Sequence, residues 1–400
     1  MKRLTNSAQL KLDMRILFIH PYSIDYPGGA EQWIEEVATR LKRRNYGIGI
    51  IHTKQIPHTV RKANRSTVLK EKGIKLYSCP YIHLPRGFPI IIPSCITRVA
   101  QYYNIIYLMM YQPNELLMYM LKKLRIVNVP VVLGFHIMLE HQHRLSHRLY
   151  MHAFTKICNF ANAIHVLNSH HYQLLSQYIK DTKKIHLIPN GVDTSKCPIK
   201  RDDEKFRILW TGRLFLDKGA DILYEVILRF NEKYPHLAAE VEFIVTGTGP
   251  YERHLRNLSR SFSNVKYLGY VDRNTLRHLY AISHLYLAPS RVEGMPLRVL
   301  EAFCSGLPVV GSKIPGIIDV VKNVGYGYLV GIGDVDGYTT GILKFFKLWR
   351  EDSDHYFELR GRIRRIVAII YDWDSIINKI EKMLKHIGKD DRITKNTSEI

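Results

Sequence analysis

Short apolar runs alternate with amphipathic helix patterns along this 400-residue chain, and the alternation happens twice. Met14 to Tyr22 (MRILFIHPY) reads as a first buried strand, with Pro27, Gly28 and Gly29 as the turn after it. From Ala30 a helix carries Trp33, Ile34, Val37 and Leu41 on one stripe, and Tyr46 to Thr53 is the second strand. Strand, loop, helix and strand in that order open a parallel sheet, because parallel neighbours need a crossover to bring the chain back. Further strands are expected at IKLYSCPY, NIIYLMMYQP, Val129 to Met138, AIHV (from Ala163) and Lys184 to Asp193. Asn168 or Ser169 is a natural N-cap for the helix after AIHV. The pattern then restarts at FRILWTG and continues through VEFIVTGTGP, VKYLGYV, LYLAP, LPVVGS and Tyr326 to Asp334. Two α/β domains are therefore expected, at 14–196 and 206–370, with a polar linker at 197–205. A flexible extension is expected at 1–13, an amphipathic helix at 371–387 that packs on the first domain, and a disordered charged tail at 388–400.

The net charge is +22, and it is uneven: residues 1–200 hold 28 Lys+Arg against 10 Asp+Glu, while residues 201–400 hold 30 against 26. A positive first half suits an anionic partner such as a lipid surface, a lipid-linked phosphate or a nucleic acid, and equally suits a merely solvated surface. The basic groups are Arg40, Lys42, Arg43 and Arg44, then Lys122, Lys123 and Arg125. Leu84 to Pro93 (LPRGFPIIIP) reads either as a covered connection or as an exposed apolar loop touching lipid or acceptor. Five scattered cysteines without a CxxC fit a reducing, cytoplasmic setting and argue against a disulfide scaffold or zinc module. No apolar run reaches the roughly 18 residues of a membrane span, and the N-terminus lacks the apolar core of a secretory signal.

The chemistry concentrates at residues 285–316, LYLAPSRVEGMPLRVLEAFCSGLPVVGSKIPG. A strand, a turn and a helix starting at Pro296 follow one another, with Glu293 in the turn and Glu301 inside the helix. A strand-end loop feeding a helix N-terminus favours a phosphorylated ligand, because free N–H groups and the helix dipole point at the anion. The two acids would then accept hydrogen bonds from sugar hydroxyls beside that phosphate.

The ordered series GGAE, IPNGVD, TGRLFLDKG, VTGTGPYE, LGYV and PSRVEGMPLRVLEAFCSGLPVVGS resembles glycosyltransferase family 4, the retaining enzymes of the GT-B fold, from about Met14 to Gly388. The resemblance implies two Rossmann-like domains facing across a cleft, with a C-terminal helix crossing back to the first. It implies a nucleotide-diphosphate sugar bound by the second domain, an acceptor on the first, and a retained α-linkage without a metal or other cofactor. Arg213 and Lys218 would steady the leaving diphosphate, Glu301 the nucleotide ribose and Glu293 the donor sugar. Gly294, Met295, Pro296 and Leu297 would offer backbone to phosphates and sugar. Gly247 and Gly249 would line the nucleotide site, and Tyr270 and Val271 would present backbone to the base. Gly28 and Gly29 would let the first-domain loop approach the diphosphate, where a Cβ would intrude. Glu31, just beyond, favours the positive helix N-terminus. His136, at the end of a buried strand, would face the donor sugar, although Ile137 stands where the family commonly has Asp.

Other patterns carry less. Glu252 stands where a GxGxxG fingerprint needs glycine. Asp334-Val335-Asp336 imitates a metal-binding DxD and reads as a loop, and His141, His143 and His147 lack companions for a metal site. No pair of carboxylates marks a hydrolase. The expected activity is transfer of a hexose to a hydroxyl of a glycan or polyprenyl-phosphate-linked glycan, at the cytoplasmic face of a membrane. The rivals are another enzyme of this fold (a sugar-phosphate synthase or nucleotide-sugar epimerase) and a basic nucleic-acid-binding protein.

Overall fold

Runs such as IIYLM (Ile105–Met109, β6) and VVLGF (Val131–Phe135, β7) have every residue buried, the mark of parallel strands covered on both faces. The structure is a computed structural model, and it describes residues 14–56, 63–83, 89–110, 113–136, 154–201 and 204–397, with side chains to residue 388. The expected 1–13 extension, residues 84–88 of the LPRGF segment, and His141, His143 and His147 lie outside the described residues. Two units divide the chain: Met1–Ile188 with Ile377–Ile400, and Pro189–Ile376.

In the first unit, β1 (Arg15–Ile19), β2 (Gly47–His52), β3 (Lys75–Ser78), β6, β7, β8 (Ala163–Val166) and β9 (Ile185–Leu187) form a seven-stranded sheet in the order β3-β2-β1-β6-β7-β8-β9. Every pairing is parallel, with Ile16 opposite both Ile48 and Ile105. Two short antiparallel strands, β4 (Tyr81–Ile82) and β5 (Ile90–Ile91), stand apart. Helix α1 (Gly29–Arg43) buries Trp33, Ile34, Val37 and Leu41, the stripe expected from their spacing. Asn168 caps the helix Ser169–Ser176, accepting from the His171 N–H at 2.8 Å.

The second unit repeats the plan with six parallel strands: β10 (Phe206–Thr211), β11 (Val241–Thr246), β12 (Val265–Gly269), β13 (Leu285–Ala288), β14 (Val309–Ser312) and β15 (Gly327–Val330). Their order is β12-β11-β10-β13-β14-β15. In each sheet the order reverses beside its first strand, between β1 and β6 and between β10 and β13. Ligands of open α/β sheets bind outside the carboxyl ends of the strands at that reversal.

Several expectations need correction. The division falls between Ile188 and Pro189, not at 196, because the intervening segment bonds into the second unit: Asn190 to Met295 and Val192 to Tyr371. The last helix runs Trp373–Thr397, past the expected tail boundary at 388. No proline follows Ile387, and Gly388 lies close to Met14, which supports the helix at that point. From Ile377 onward this helix belongs with the first unit, where Glu381 takes hydrogen bonds from Arg44 at 2.7 Å and Tyr46 at 2.8 Å. Arg44 is thus engaged inside the fold, as are Arg40 with Glu36 and Lys122 with Asn162, so three of the seven basic groups already have partners there. The cysteines are paired after all: Cys79 with Cys95 and Cys197 with Cys304, leaving Cys158 free and buried. The partners lie 16 and 107 residues apart, so nothing in their local spacing reveals that folding brings each pair together. Among the described residues no helix is long and apolar enough to cross a membrane.

Candidate functional site

Two loops meet at the reversal point of the second sheet. The first leaves β10 as Gly212 and Arg213, makes a 3-10 turn over Leu216–Lys218, and enters helix α2 (Ala220–Lys233) through Gly219. Gly219 has φ +69°, and a Cβ there would sit 2.0 Å from the Pro289 carbonyl oxygen, so only glycine allows this approach. The second loop leaves β13 as Pro289 to Pro296 and enters helix α3 (Leu297–Cys304).

Ion pairs join the loops. Lys218 Nζ lies 2.8 Å from Glu293 Oε1 and 3.8 Å from Asp217, and Ser290 Oγ donates to the same Glu293 oxygen at 3.1 Å. Arg291 forks onto Asp221, Nη1 to Oδ1 at 2.6 Å and Nη2 to Oδ2 at 2.5 Å, and also donates to the Leu216 carbonyl at 2.7 Å. Burial opposes the charge on Asp221, yet the Arg291 guanidinium wins and holds its carboxyl below the usual range. Arg213 reaches Asp217 at 3.5 Å and lies over the Phe215 ring at 5.2 Å. The structure thus brings Arg213, Lys218 and Glu293 to one end of the sheet. Sequence reasoning missed Arg291 and Asp221, although opposite charges in the two motif loops were a usable signal.

Glu301, on α3, accepts from Arg298 at 2.6 Å and from the Tyr280 hydroxyl at 3.3 Å. The three-residue spacing on a helix accounts for the arginine pair. Met295 is buried because Asn190 holds it: Asn190 Nδ2 donates to the Met295 carbonyl at 2.9 Å, and the Asn190 N–H points at the Met295 sulfur at 3.0 Å. The Gly294 and Glu293 carbonyls abut Gly316, at the start of the helix Pro315–Val324, where a Cβ would come within 2.5 Å of the Gly294 oxygen. Pro296 is the N-cap of α3 and Leu297 its first residue.

Gly247 has φ +124°, and its Cβ would fall 1.7 Å from the Gly212 carbonyl oxygen. Gly249 likewise packs against Leu214. The two glycines therefore let the loop after β11 lie on the Arg213 loop. The Gly247 N–H donates to Gly269 at 2.7 Å, beside the exposed Tyr270 and the half-buried Val271. Asp334 caps the helix Val335–Glu351 through the Gly337 N–H at 2.9 Å, so the DxD imitation is a helix cap. Among the described residues no group of His, Cys, Asp and Glu could hold a metal.

In the first unit, Gly28 is the N-cap of α1 and Gly29 its first residue. A Cβ on Gly28 would meet the Glu31 carboxylate at 2.2 Å. Glu31 is buried and bonds His20 Nε2 at 2.6 Å, so a buried partner holds it in addition to its place in the first helical turn. His136 follows β7 directly. Its Nε2 lies 3.0 Å from the Tyr107 hydroxyl, and its ring is 4.3 Å from that of Trp33. Burial, with His165 and His20 nearby, holds its pKa well below the usual histidine range.

The family described as Glycosyl transferases group 1 matches residues 192–368, and that described as Glycosyltransferase Family 4 matches residues 27–196. A UDP-Gal:alpha-D-GlcNAc-diphosphoundecaprenol alpha-1,3-galactosyltransferase of Escherichia coli is 31% identical over 180 residues, covering 41% of this chain and 46% of its own. A phosphatidylinositol N-acetylglucosaminyltransferase of Arabidopsis thaliana is 31% identical over 204 residues, 50% of this chain and 43% of its own. The chain thus spans less than half the length of these relatives. Anabaena Alr3699/HepE, solved in complex with UDP-glucose, superposes with a TM-score of 0.71 at 20% identity, over 93% of this chain and 100% of that one. A glycosyltransferase from Rickettsia africae superposes with a TM-score of 0.73 at 17% identity, over 94% and 98%. These likenesses carry the GT-B fold, and the two family matches carry the assignment. With both halves matched in order, the chain belongs to glycosyltransferase family 4, its second half being the glycosyl transferases group 1 domain.

Proposed function

We propose that this protein transfers a hexose from a nucleotide-diphosphate sugar to an acceptor hydroxyl of a glycan or lipid-linked glycan, with retention, giving an α-linkage without a metal. The observation that carries the reading is the meeting of Arg213, Lys218 and Glu293 at the reversal point of the second sheet. Cleaving the donor C1–O bond places negative charge on the diphosphate. Lys218 and Arg213, fixed nearby, stabilise that charge more as it grows, which lowers the barrier. Because Lys218 and Glu293 are paired without ligand, donor binding exchanges one pair for two contacts: ammonium to phosphate, and carboxylate to a sugar hydroxyl. Glu301 takes the ribose, and Gly247, Gly249, Tyr270, Val271 and residues 294–297 offer backbone. Gly28, Gly29 and His136 serve from the first unit. The donor phosphate takes the acceptor proton as attack proceeds on the face that the leaving group vacates.

The test is incubation with labelled nucleotide sugars, with and without a polyprenyl-diphosphate-linked glycan. Acceptor-dependent transfer, an α-anomeric product by NMR and indifference to EDTA are expected. A β-anomer would overturn retention, and loss of turnover in EDTA would overturn metal independence. Conversion of the donor without acceptor would favour the epimerase reading.

The same reading includes a membrane surface at the cytoplasmic face. Its support is a stripe on the helix Asn114–Lys123 and just beyond it, where Leu116, Met120, Leu124 and Ile126 are 45% to 62% exposed beside the exposed Lys123 and Arg125. Apolar side chains ringed by cations suit an anionic bilayer interface. Replacing Leu116, Met120 and Leu124 by serine is expected to weaken flotation with phosphatidylglycerol vesicles by about tenfold or more. Unchanged flotation would remove the membrane from the reading.

A further inference from the structure

Three side chains of the first unit form a hydrogen-bond chain that begins at His136, and its far end fixes the direction of every proton in it. Tyr107 stands on β6, opposite Val132 on β7, and His165 stands on β8, opposite Gly134. A Cβ at Gly134 would fall 2.4 Å from the Tyr107 hydroxyl oxygen. The glycine is therefore what lets Tyr107 reach across β7 to both histidines. Its hydroxyl oxygen lies 3.0 Å from His136 Nε2 and 2.6 Å from His165 Nδ1. His165 Nε2 lies 2.7 Å from the Ile188 carbonyl oxygen.

A carbonyl only accepts, so His165 Nε2 carries a hydrogen. His165 is buried, and burial lowers its pKa to about 4, so at neutral pH its Nδ1 is a bare lone pair. Tyr107 must then donate to His165. Burial also raises the Tyr107 pKa well above its usual value, so it keeps its single proton. Toward His136 the phenol oxygen can only accept, so His136 Nε2 carries the hydrogen. Trp33 packs against all three rings, at centroid distances of 4.3, 5.2 and 5.6 Å from His136, Tyr107 and His165.

We propose that the Ile188 carbonyl, His165 and Tyr107 hold His136 as its Nε2–H tautomer, leaving Nδ1 as an acceptor for a substrate hydroxyl. The proposal rests on the glycosyltransferase reading, in which His136 meets a sugar. It narrows that reading, because a neutral lone pair accepts from a hydroxyl and repels phosphate oxygens. Tyr107 and His165 act through His136 and are positioning residues.

The test uses the full chain labelled with nitrogen-15 histidine and needs no substrate. Long-range proton–nitrogen correlations should show His136 and His165 neutral and in the Nε2–H form at pH 7, and Tyr107→Phe should leave His136 as a mixture of tautomers. An Nδ1–H or charged His136 in the unmutated chain overturns the proposal, whether or not the protein transfers sugar. In turnover, Tyr107→Phe should lower kcat about tenfold with KM within about twofold. In a His136→Ala background the same change should alter kcat by less than about twofold, because the chain then has nothing left to orient. Equal losses in both backgrounds would make Tyr107 a merely structural residue and overturn the positioning role.

Discussion

Lys218→Ala is expected to lower kcat/KM for glycosyl transfer by about 10²–10³-fold, the usual effect of removing one preorganised group that stabilises transition-state charge. The ammonium stands 2.8 Å from Glu293 in a partly exposed loop, so its pair contributes on the order of 1 kcal/mol or less to folding. The thermal midpoint should therefore stay within a few degrees of the parent while turnover collapses. Glu293→Gln should also be severe, but the two losses should not add. Each variant leaves the partner without its counter-charge, and the double variant removes the unpaired charge as well. Steady-state kinetics on the three proteins measure this directly. Near-normal turnover in Lys218→Ala would remove Lys218 from the donor site.

Gly247→Ala is expected to destabilise the second unit by about 3 kcal/mol or more, lowering its thermal midpoint by roughly 6–12 °C. The position has φ +124°, where L side chains are strained, and the new methyl would lie 1.7 Å from a backbone oxygen of Gly212. Neither can relax without moving the Arg213 loop off its neighbour, so the variant should lose donor affinity as well. Gly361→Ala is the control. Its Cβ meets nothing within 4 Å inside the helix Ser353–Tyr371, so it should be neutral or stabilising by about 0.5–1 kcal/mol. Calorimetry on both variants checks the contrast. Equal midpoints would show that the loop after β11 does not depend on glycine.

Much of the fold was legible because its causes are local. Buried parallel strands must be apolar throughout, and their helices must carry a stripe at helical spacing, so FRILWT and the Trp33–Leu41 stripe identified themselves. Glu293 and Glu301 were legible because a strand-end loop opening a helix leaves a motif. The pairing of Lys218 with Glu293 spans 75 residues and that of Arg291 with Asp221 spans 70, and no local pattern encodes either. The cysteine pairs were missed for the same reason, and their pairing removes the sequence argument for a reducing compartment. The cytoplasmic placement then rests on the proposed membrane surface alone.

His136 shows the same divide within one residue. Its place at a strand end followed from VPVVLGF, which must be a strand because every residue in it is apolar or glycine. Its protonation did not, since that depends on Tyr107 from one neighbouring strand, His165 from the other and a carbonyl at Ile188. Periodicity along the chain is enough to decide which segments become strands and helices and which loops face the carboxyl ends of the sheets. Which charges meet across those loops, and where each proton sits, depends on strand order and register, and these exist only once distant segments have paired.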